Sequence, residues 1–295
     1  MKNKRFFAFG CSATSCNWPT WADIVARQYD EYQNWALPGA GNPFIFYSVM
    51  EAIKRNTITK DDTVMIMWTN IGREDRYVKG TGWITPGSIY NQTVYSKDFV
   101  RDYADPTGYL IRDMAHLSAV KSLLDTIGCE YKFFTTVPFN VPDDNIFRVF
   151  SMDTKITNLY RDDIASVAPS VFEVVFNFDW YSRPGVRDLA ALEQQYRSVQ
   201  GDAWPTWEEF VQQNWSGTPR AIREEIDEEY FFSRQLLMRT NTHLLPAEHL
   251  EYLDRVSDIE IDADTRNWVE EVNQAIITGA DFKQLWRPQG KVTRF

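Results

Sequence analysis

The sequence KRFFAFGCSAT, residues 4–14, decides the fold that we predict for this chain. Its first half is a short apolar run rich in aromatic residues, which is typical of a buried β-strand. The run ends at Gly10, and Ser12 follows in a turn before a predicted helix over residues 19–29. A serine in such a turn has its hydroxyl outside the core and close to main-chain N–H groups. Ser12 is therefore a candidate nucleophile, and an ordinary turn serine is the alternative.

Strands and helices then alternate along the chain, which predicts a parallel sheet with helices on both faces. Asn42 can cap the second helix with Pro43 in its first turn, and Gly128 is expected to end a long helix over residues 106–127. We predict an α/β fold: a three-layer αβα sandwich whose parallel five-stranded sheet is flavodoxin-like, with insertions. The five predicted strands cover residues 4–10, 32–37, 62–70, 131–137 and 171–178.

Composition excludes several classes of function. The 31 basic and 41 acidic residues give a net charge of −10, and such a field repels the phosphates of nucleic acids. No apolar run approaches the ~20 residues that a membrane span requires, and the first residues lack the apolar core of a signal peptide. The three cysteines form neither a disulfide framework nor a metal-binding spacing. We expect a protein made in a reducing cytosol, without a nucleic-acid or membrane partner.

The predicted strand ends bring polar groups to the carboxyl edge of the sheet, where open α/β sheets bind ligands. Gly39 and Gly41 follow the second strand and let a ligand approach the main chain, while Asn70 ends the third strand. His243 precedes a predicted helix over residues 246–256. With Ser12, these groups supply the nucleophile, oxyanion hole and base of acyl transfer. Two alternatives stay open: a strand-end cap for Asn70, and a ligand-binding loop formed by the glycines.

Four segments resemble the sequence blocks of the SGNH (GDSL) hydrolases. GCSAT, residues 10–14, is similar to the first block, and with WPTWADIVA it resembles a branch encoded by bacteriophages. NWALPGAGN, VMIMWTN and NTHLLPAEHLEYL resemble the second, third and last blocks. The resemblance implies that Ser12 is the nucleophile, that His243 is the base, and that the oxyanion hole combines Ser12, Gly39 and Asn70. It implies no metal and no organic cofactor.

The sequence departs from the family pattern beside the proposed base. Asn241 stands where the family has the aspartate of its catalytic triad, and Leu244 replaces the usual proline. In a well-studied serine protease, exchanging that aspartate for asparagine lowers turnover ~10⁴-fold. An asparagine still accepts a hydrogen bond from the imidazole, so a slow Ser12–His243 dyad and an inactive site are both compatible with this sequence.

Three hypotheses about function follow. The first is a serine esterase that removes O-acyl groups, O-acetyl above all, from a carbohydrate or a small ester. The second is a catalytically degenerate structural or interaction protein of a phage virion, whose partners are other phage structural proteins or a second copy of the chain. That protein would be made in the host cytoplasm and incorporated in the virion. The third is a flavodoxin-like binder that holds a nucleotide or flavin in its glycine loop.

We predict one hydrolase-like α/β domain over residues 1–256 and a helical extension over residues 257–295. Its insertions cover residues 71–104, an extended loop or hairpin, and residues 181–238. The second insertion starts after the fifth predicted strand and ends just before His243, so we expect it to roof or flank the site. The charged run Arg73–Arg76 is expected to form a solvated face, and an arginine that lines the cleft is the alternative.

Overall fold

A computed structural model describes residues 4–89, 94–139, 154–176, 243–278 and 280–293. The strands in chain order are β1 (Arg5–Phe9), β2 (Glu31–Asn34), β3 (Thr63–Trp68), β4 (Arg76–Val78), β5 (Gly82–Ile84) and β6 (Glu130–Thr135). β1, β2, β3 and β6 form a parallel sheet in the order β2-β1-β3-β6, and β4 and β5 form an antiparallel hairpin. The predicted α/β class with a parallel sheet is confirmed.

Helices connect the strands of the sheet. In chain order they are α1 (Trp21–Ala26), α2 (Asn42–Asn56), α3 (Lys97–Tyr103), α4 (Pro106–Ile127), α5 (Thr154–Leu159), α6 (Arg161–Ala165), α7 (Val171–Val174), α8 (Pro246–Val256) and α9 (Ala263–Thr278). α4 has the predicted bounds, because Asp105 caps its first turn and Gly128 ends it in the left-handed conformation. None of the described helices is long and apolar enough to cross a membrane.

The helices cover both faces of the sheet. Because successive side chains of a strand point to opposite faces, Phe6 and Phe9 lie on opposite faces of β1. The ring of Phe6 contacts Trp21 of α1, with 6.4 Å between centroids. Phe9 stacks against Trp35, which lies under the Arg55 guanidinium of α2 at 5.3 Å. α8 packs beside α1 and α4 packs beside α2, so each face is covered by two helices.

The prediction of a fifth strand over residues 171–178 is wrong, since the described sheet has four strands and residues 171–174 form α7. Ser170 and Glu173 form a capping box that starts this helix: the Ser170 Oγ accepts from the Glu173 N–H, and the Glu173 carboxylate accepts from the Ser170 N–H. Next to β6, Val167 forms a single parallel bridge with Phe133. A short bridge therefore occupies the position that we predicted for the fifth strand.

Two other local predictions need correction. Asn42 does not cap α2: Gly41 holds the cap position, and the Asn42 amide bonds the main chain of Thr69 at the end of β3. α3 was not predicted, although the Ser96 side chain accepts a hydrogen bond from the N–H of Phe99 at its start. The predicted hairpin within residues 71–104 is present as β4 and β5. The predicted insertion over residues 181–238 lies outside the described residues.

Residues 284–291 continue from α9 towards the outer edge of the sheet. α9 packs against α8, and the main-chain oxygen of Gly290 accepts a hydrogen bond of 2.8 Å from the N–H of Asn34. Lys291 forms a parallel bridge with Asn34. A Cβ at position 290 would lie 2.9 Å from the main-chain oxygen of Tyr32. The close approach of this segment to β2 therefore requires a glycine.

Candidate functional site

Three neighbouring strands deliver Ser12, Gly39 and Asn70 to the carboxyl edge of the sheet. β1 and β2 end at nearly the same level, since Ala8 pairs with Asn34, and β3 continues two residues beyond the pairing of Phe9 with Ile66. β1 lies between β2 and β3, so the turn that carries Ser12 lies between the other two loops. All three candidate residues are partly buried. This edge is the place where open α/β sheets bind ligands.

The turn after β1 is held in one conformation by Thr14. The main-chain oxygen of Thr14 accepts hydrogen bonds from the Asn34 amide and the Thr20 hydroxyl, both at 2.9 Å. A Cβ at position 10 would lie 2.1 Å from the Thr14 Oγ1, so only glycine fits there. Within the described part of the chain, neither the hydroxyl nor the main-chain N–H of Ser12 makes a hydrogen bond. Ser12 therefore keeps both groups available in a rigid turn.

Gly39 is fixed by its backbone conformation and by a close neighbour. Its φ is +80°, a region that favours glycine, and a Cβ there would lie 2.1 Å from the main-chain oxygen of Thr85. The Thr85 hydroxyl also donates to the Pro38 oxygen at 2.8 Å, which holds the two loops together. The N–H of Gly39 makes no hydrogen bond among the described residues. It is the second available donor at this edge.

Asn70 caps its turn, which is one of the two roles that the sequence left open. Its Oδ1 accepts a hydrogen bond of 2.6 Å from the N–H of Gly72, which is the capping role. Because that bond uses the amide oxygen, the Nδ2 group remains as a donor. No partner of Nδ2 is found within the described residues. Asn70 is thus held by one end of its amide while the other end is available to a ligand.

The charged run Arg73–Arg76 is not the solvated face that we expected. Glu74 and Asp75 are buried, and only Arg76 of the four is exposed. The Asp75 carboxylate accepts hydrogen bonds of 3.0 Å from the N–H groups of Gly41 and Phe44 at the start of α2. Burial raises the pKa of Asp75 to about 6, although these hydrogen bonds act in the opposite direction. A buried carboxylate therefore anchors the loop that carries Gly39.

Two arginines extend this buried network. Arg73 donates to the Ala40 oxygen at 2.8 Å, next to Gly39. Arg112 of α4 donates to Glu74 at 2.9 Å and to Asp113 at 2.7 Å. Burial raises the pKa of Asp113 to about 6, against the opposing effect of Arg112.

Asn42 links this network to the end of β3. Its Nδ2 donates to the Asp113 carboxylate at 2.8 Å and to the Thr69 oxygen at 2.9 Å. Its Oδ1 accepts from the Thr69 N–H. The network thus joins the loops of Gly39 and Asn70, and neither Asp75 nor Asp113 was predicted as part of the site.

His243 precedes α8, and the residue after it contacts the segment between Ser12 and α1. The indole N–H of Trp18 donates a hydrogen bond of 2.7 Å to the main-chain oxygen of Leu244, the residue after His243. His243 is partly buried, and the second histidine of this segment, His249, is buried. The structure therefore holds the main chain beside His243 against the segment that follows Ser12. Asn241 lies outside the described residues.

Comparisons with known proteins give only distant similarities. No protein-family model and no curated protein sequence matches the chain. A crystal structure of TesA is similar at 11% identity and a TM-score of 0.37, covering 68% of this chain and 98% of that one. A mutant of Axe2, an acetyl-xylooligosaccharide esterase from Geobacillus Stearmophilus, is 14% identical at a TM-score of 0.35, covering 60% of this chain and 80% of that one. A member of the lipolytic protein G-D-S-L family from Veillonella parvula DSM 2008 is 12% identical at a TM-score of 0.29, covering 85% of this chain and 99% of that one.

Proposed function

We propose that this chain is a serine-dependent ester hydrolase whose nucleophile is Ser12. The observation that carries the proposal is the set of available groups at the carboxyl edge of the sheet. Within the described residues, the N–H groups of Ser12 and Gly39 and the Nδ2 of Asn70 have no hydrogen-bond partner, and neither has the Ser12 hydroxyl. Donors held in place without a partner are what an oxyanion hole requires.

The proposed reaction follows from these groups. The Ser12 Oγ attacks the carbonyl carbon of the ester while His243 accepts its proton, and the carbonyl oxygen becomes an oxyanion held by the donors of Ser12, Gly39 and Asn70. Collapse of this intermediate breaks the bond to the alcohol, which leaves with the proton from His243. Water then attacks the acylated Ser12, gives its proton to His243, and releases the acid. His243 finally returns that proton to Ser12.

The buried network supports the mechanism by holding the donors before the substrate arrives. Arg73 bonds the main chain of Ala40 and Asp75 that of Gly41, one and two residues after Gly39. Asn42 bonds the main chain next to Asn70. A preorganised donor does not have to be reoriented during the reaction, so it stabilises the transition state at low cost. We propose O-acyl esters as the substrate class, with O-acetyl groups on a carbohydrate or small molecule as the first candidates.

The experiment is labelling with a fluorophosphonate probe, together with turnover of p-nitrophenyl acetate. We expect wild-type protein to be labelled and Ser12→Ala to lose both labelling and turnover. Ser15→Ala is the matched control, because Ser15 lies in the same turn and its main-chain N–H, not its hydroxyl, donates to the Cys11 oxygen. Equal labelling of wild type and Ser12→Ala would contradict the proposal.

A second candidate function rests on Asn241. An asparagine in the place of the triad aspartate favours a scaffold that has lost its reaction and serves as a structural or interaction protein, for example in a virion. Asn241→Asp separates the two functions. A gain of orders of magnitude in esterase turnover would show a site that is intact but impaired. Absence of turnover in both forms, with both correctly folded, would favour the scaffold.

A further inference from the structure

Three aromatic side chains form a cluster at the surface of the β4–β5 hairpin and α2. Tyr77 and Trp83 are direct partners across the hairpin, with 5.7 Å between ring centroids, and Tyr47 of α2 stacks on Trp83 at 5.5 Å. Tyr47 is 50% exposed and Tyr77 is 57% exposed, while Trp83 is partly buried. Contiguous exposed patches of this kind are often functional. We call Tyr47, Tyr77 and Trp83 the aromatic platform.

The aromatic platform is held in place from below. The buried ring of Phe44 packs edge-on against Trp83, with 5.4 Å between centroids and 88° between planes. The N–H of Phe44 donates to the Asp75 carboxylate, which also accepts from the N–H of Gly41. The platform therefore rests on the same buried network that anchors the Gly39 loop.

The hairpin also connects the platform to the proposed ester site. Thr85 contacts the Gly39 loop: its main-chain oxygen would lie 2.1 Å from a Cβ at position 39, and its hydroxyl donates to the Pro38 oxygen. Trp83 precedes Thr85 by two residues, and two residues of extended chain span at most ~7 Å. The platform is therefore continuous with the loop that carries the proposed oxyanion donor.

The chemistry of the platform suits an uncharged ligand with an apolar face and a polar rim. Because Tyr47 and Tyr77 are exposed, they present both ring surface and hydroxyl groups. The guanidinium of Arg76, the residue before Tyr77, pairs with Glu74 at 2.7 Å, so its charge is compensated. A sugar ring has the matching form, with C–H groups on its face and hydroxyls around its rim.

The size of the platform argues against a protein partner. The exposed parts of the three rings amount to roughly 300 Å². A stable protein interface buries ~800 Å² on each partner, which is well above this area. The centroid separations of 5.5 and 5.7 Å nevertheless give the platform room for more than one sugar ring.

We propose that the aromatic platform binds the sugar rings of an oligosaccharide whose O-acyl group reaches Ser12. The face of a sugar ring packs on Tyr47 or Tyr77, and the rim hydroxyls bond the tyrosine hydroxyls. This inference rests on the proposed esterase function, and it adds that the substrate is a sugar chain rather than a small ester.

The first experiment measures binding in the Ser12→Ala background, in which no ester is turned over. The probes are xylotriose, cellotriose and chitotriose, followed by ligand-observed NMR and tryptophan fluorescence. We expect at least one of them to bind, and Tyr47→Ala and Tyr77→Ala to weaken its binding about three- to tenfold each. Tyr47→Phe and Tyr77→Phe should retain most of the binding, because they keep the ring.

Tyr103→Ala is the matched control for these variants. Tyr103 is 67% exposed on α3, and its ring contacts Phe99. We expect this variant to bind the sugar as the parent does. Circular dichroism checks that each alanine variant is folded. Absence of binding for all three sugars, equal binding by the platform variants and the parent, or a dimer that depends on Tyr47 and Tyr77 in place of sugar binding would each overturn the proposal.

The second experiment uses the active chain and two esters, chemically O-acetylated xylotriose and p-nitrophenyl acetate. We expect the ratio of their kcat/KM values to fall about three- to tenfold in Tyr47→Ala and Tyr77→Ala, and to stay constant in Tyr103→Ala. An unchanged ratio in the platform variants would overturn the proposal. Absence of p-nitrophenyl acetate turnover in wild type counts against the proposed function, whereas sugar binding that depends on Tyr47 and Tyr77 still supports the platform.

Discussion

The indole N–H of Trp18 donates a hydrogen bond of 2.7 Å to the main-chain oxygen of Leu244, and 226 positions separate the two residues in the sequence. Trp18 belongs to the segment between Ser12 and α1, while Leu244 directly follows His243. Both residues are buried, and Trp18 packs against Leu245, Val272 and Ile276. One buried hydrogen bond thus joins the two segments that would carry the nucleophile and the base.

The first prediction concerns this bond. Trp18→Phe removes the donor and leaves a smaller ring, so we expect the free energy of unfolding to fall by about 1–3 kcal/mol. We expect kcat/KM for p-nitrophenyl acetate to fall by roughly 10- to 100-fold, because small displacements of reacting groups are costly. Trp268→Phe is the matched control, since its indole also donates to a main-chain oxygen, that of Leu285 at 2.9 Å. Equal activity of both variants would argue against the positioning role.

The second prediction separates the two roles of the Asn70 amide. Asn70→Asp keeps an oxygen that accepts from the Gly72 N–H but removes the Nδ2 donor. We expect the variant to fold as wild type and to lose about 10²–10³ in kcat, the usual effect of removing one oxyanion donor. Circular dichroism and steady-state kinetics measure the two quantities. An unchanged kcat would assign to Asn70 only the capping of its turn.

The third prediction uses two glycines with the same backbone conformation. Gly39 and Gly87 have φ values of +80° and +81°, so alanine at either position costs about 1–2 kcal/mol in conformational energy. Only Gly39→Ala adds a clash, because its Cβ would lie 2.1 Å from the Thr85 oxygen, whereas nothing lies within 4 Å of a Cβ at position 87. We expect Gly39→Ala to be the less stable variant in urea unfolding, and the one that loses esterase activity. Equal losses in both variants would contradict this difference.

The fourth prediction concerns the dependence of stability on pH. Burial raises the pKa of Asp75 to about 6 in the folded protein, above its ordinary value of 3.8. The folded state therefore binds the proton of the Asp75 carboxyl more tightly than the unfolded state does. The stability that it contributes is present in full below pH 4 and is lost as the pH rises through about 6. Relative to Asp75→Asn, wild type should gain up to about 3 kcal/mol between pH 7 and 4.

Asp62→Asn provides a control of opposite sign. Burial raises the pKa of Asp62, but hydrogen bonds from Arg5 and Thr59 outweigh that effect and lower it. Its contribution to stability is therefore present above the ordinary pKa and is lost as the pH falls below it. Chemical unfolding from pH 7 to below the ordinary pKa of 3.8 should show the two opposite effects: the Asp75 contribution grows as the pH falls through about 6, and the Asp62 contribution is lost below 3.8. Parallel curves would contradict the assignment for Asp75.

The sequence predicts the elements whose boundaries are set by local interactions. α4 is predicted correctly because Pro106 starts it and Gly128 ends it. The apolar run from residue 171 was predicted as a strand, because a short apolar run fits a buried strand and a buried helix equally well. The Ser170–Glu173 capping box was the local signal that favours the helix.

The candidate site is predictable only in part, for a physical reason. The glycines and the polar residues at the strand ends can be predicted from the sequence, because acyl transfer needs those residue types just after strands. The bond between Gly41 and Asp75 joins residues 34 positions apart, and the contact of Arg112 with Glu74 joins residues 38 apart. Such pairs depend on how the loops pack, so a charged run such as Arg73–Arg76 has the same appearance in sequence whether it is buried or solvated.

The single bridges at the two sides of the sheet have a consequence for self-association. An open edge strand is a template on which a second chain can add a strand, the first step towards aggregation or domain swapping. Lys291 occupies the β2 side through Asn34, and Val167 occupies the β6 side through Phe133. At these two positions the Asn34 N–H donates to the Gly290 oxygen, and the Ala168 N–H donates to the Phe133 oxygen. Two short segments, each too small to count as a strand, thus cover one position on each outer strand of the four-stranded sheet and shorten the edge on which another chain could pair.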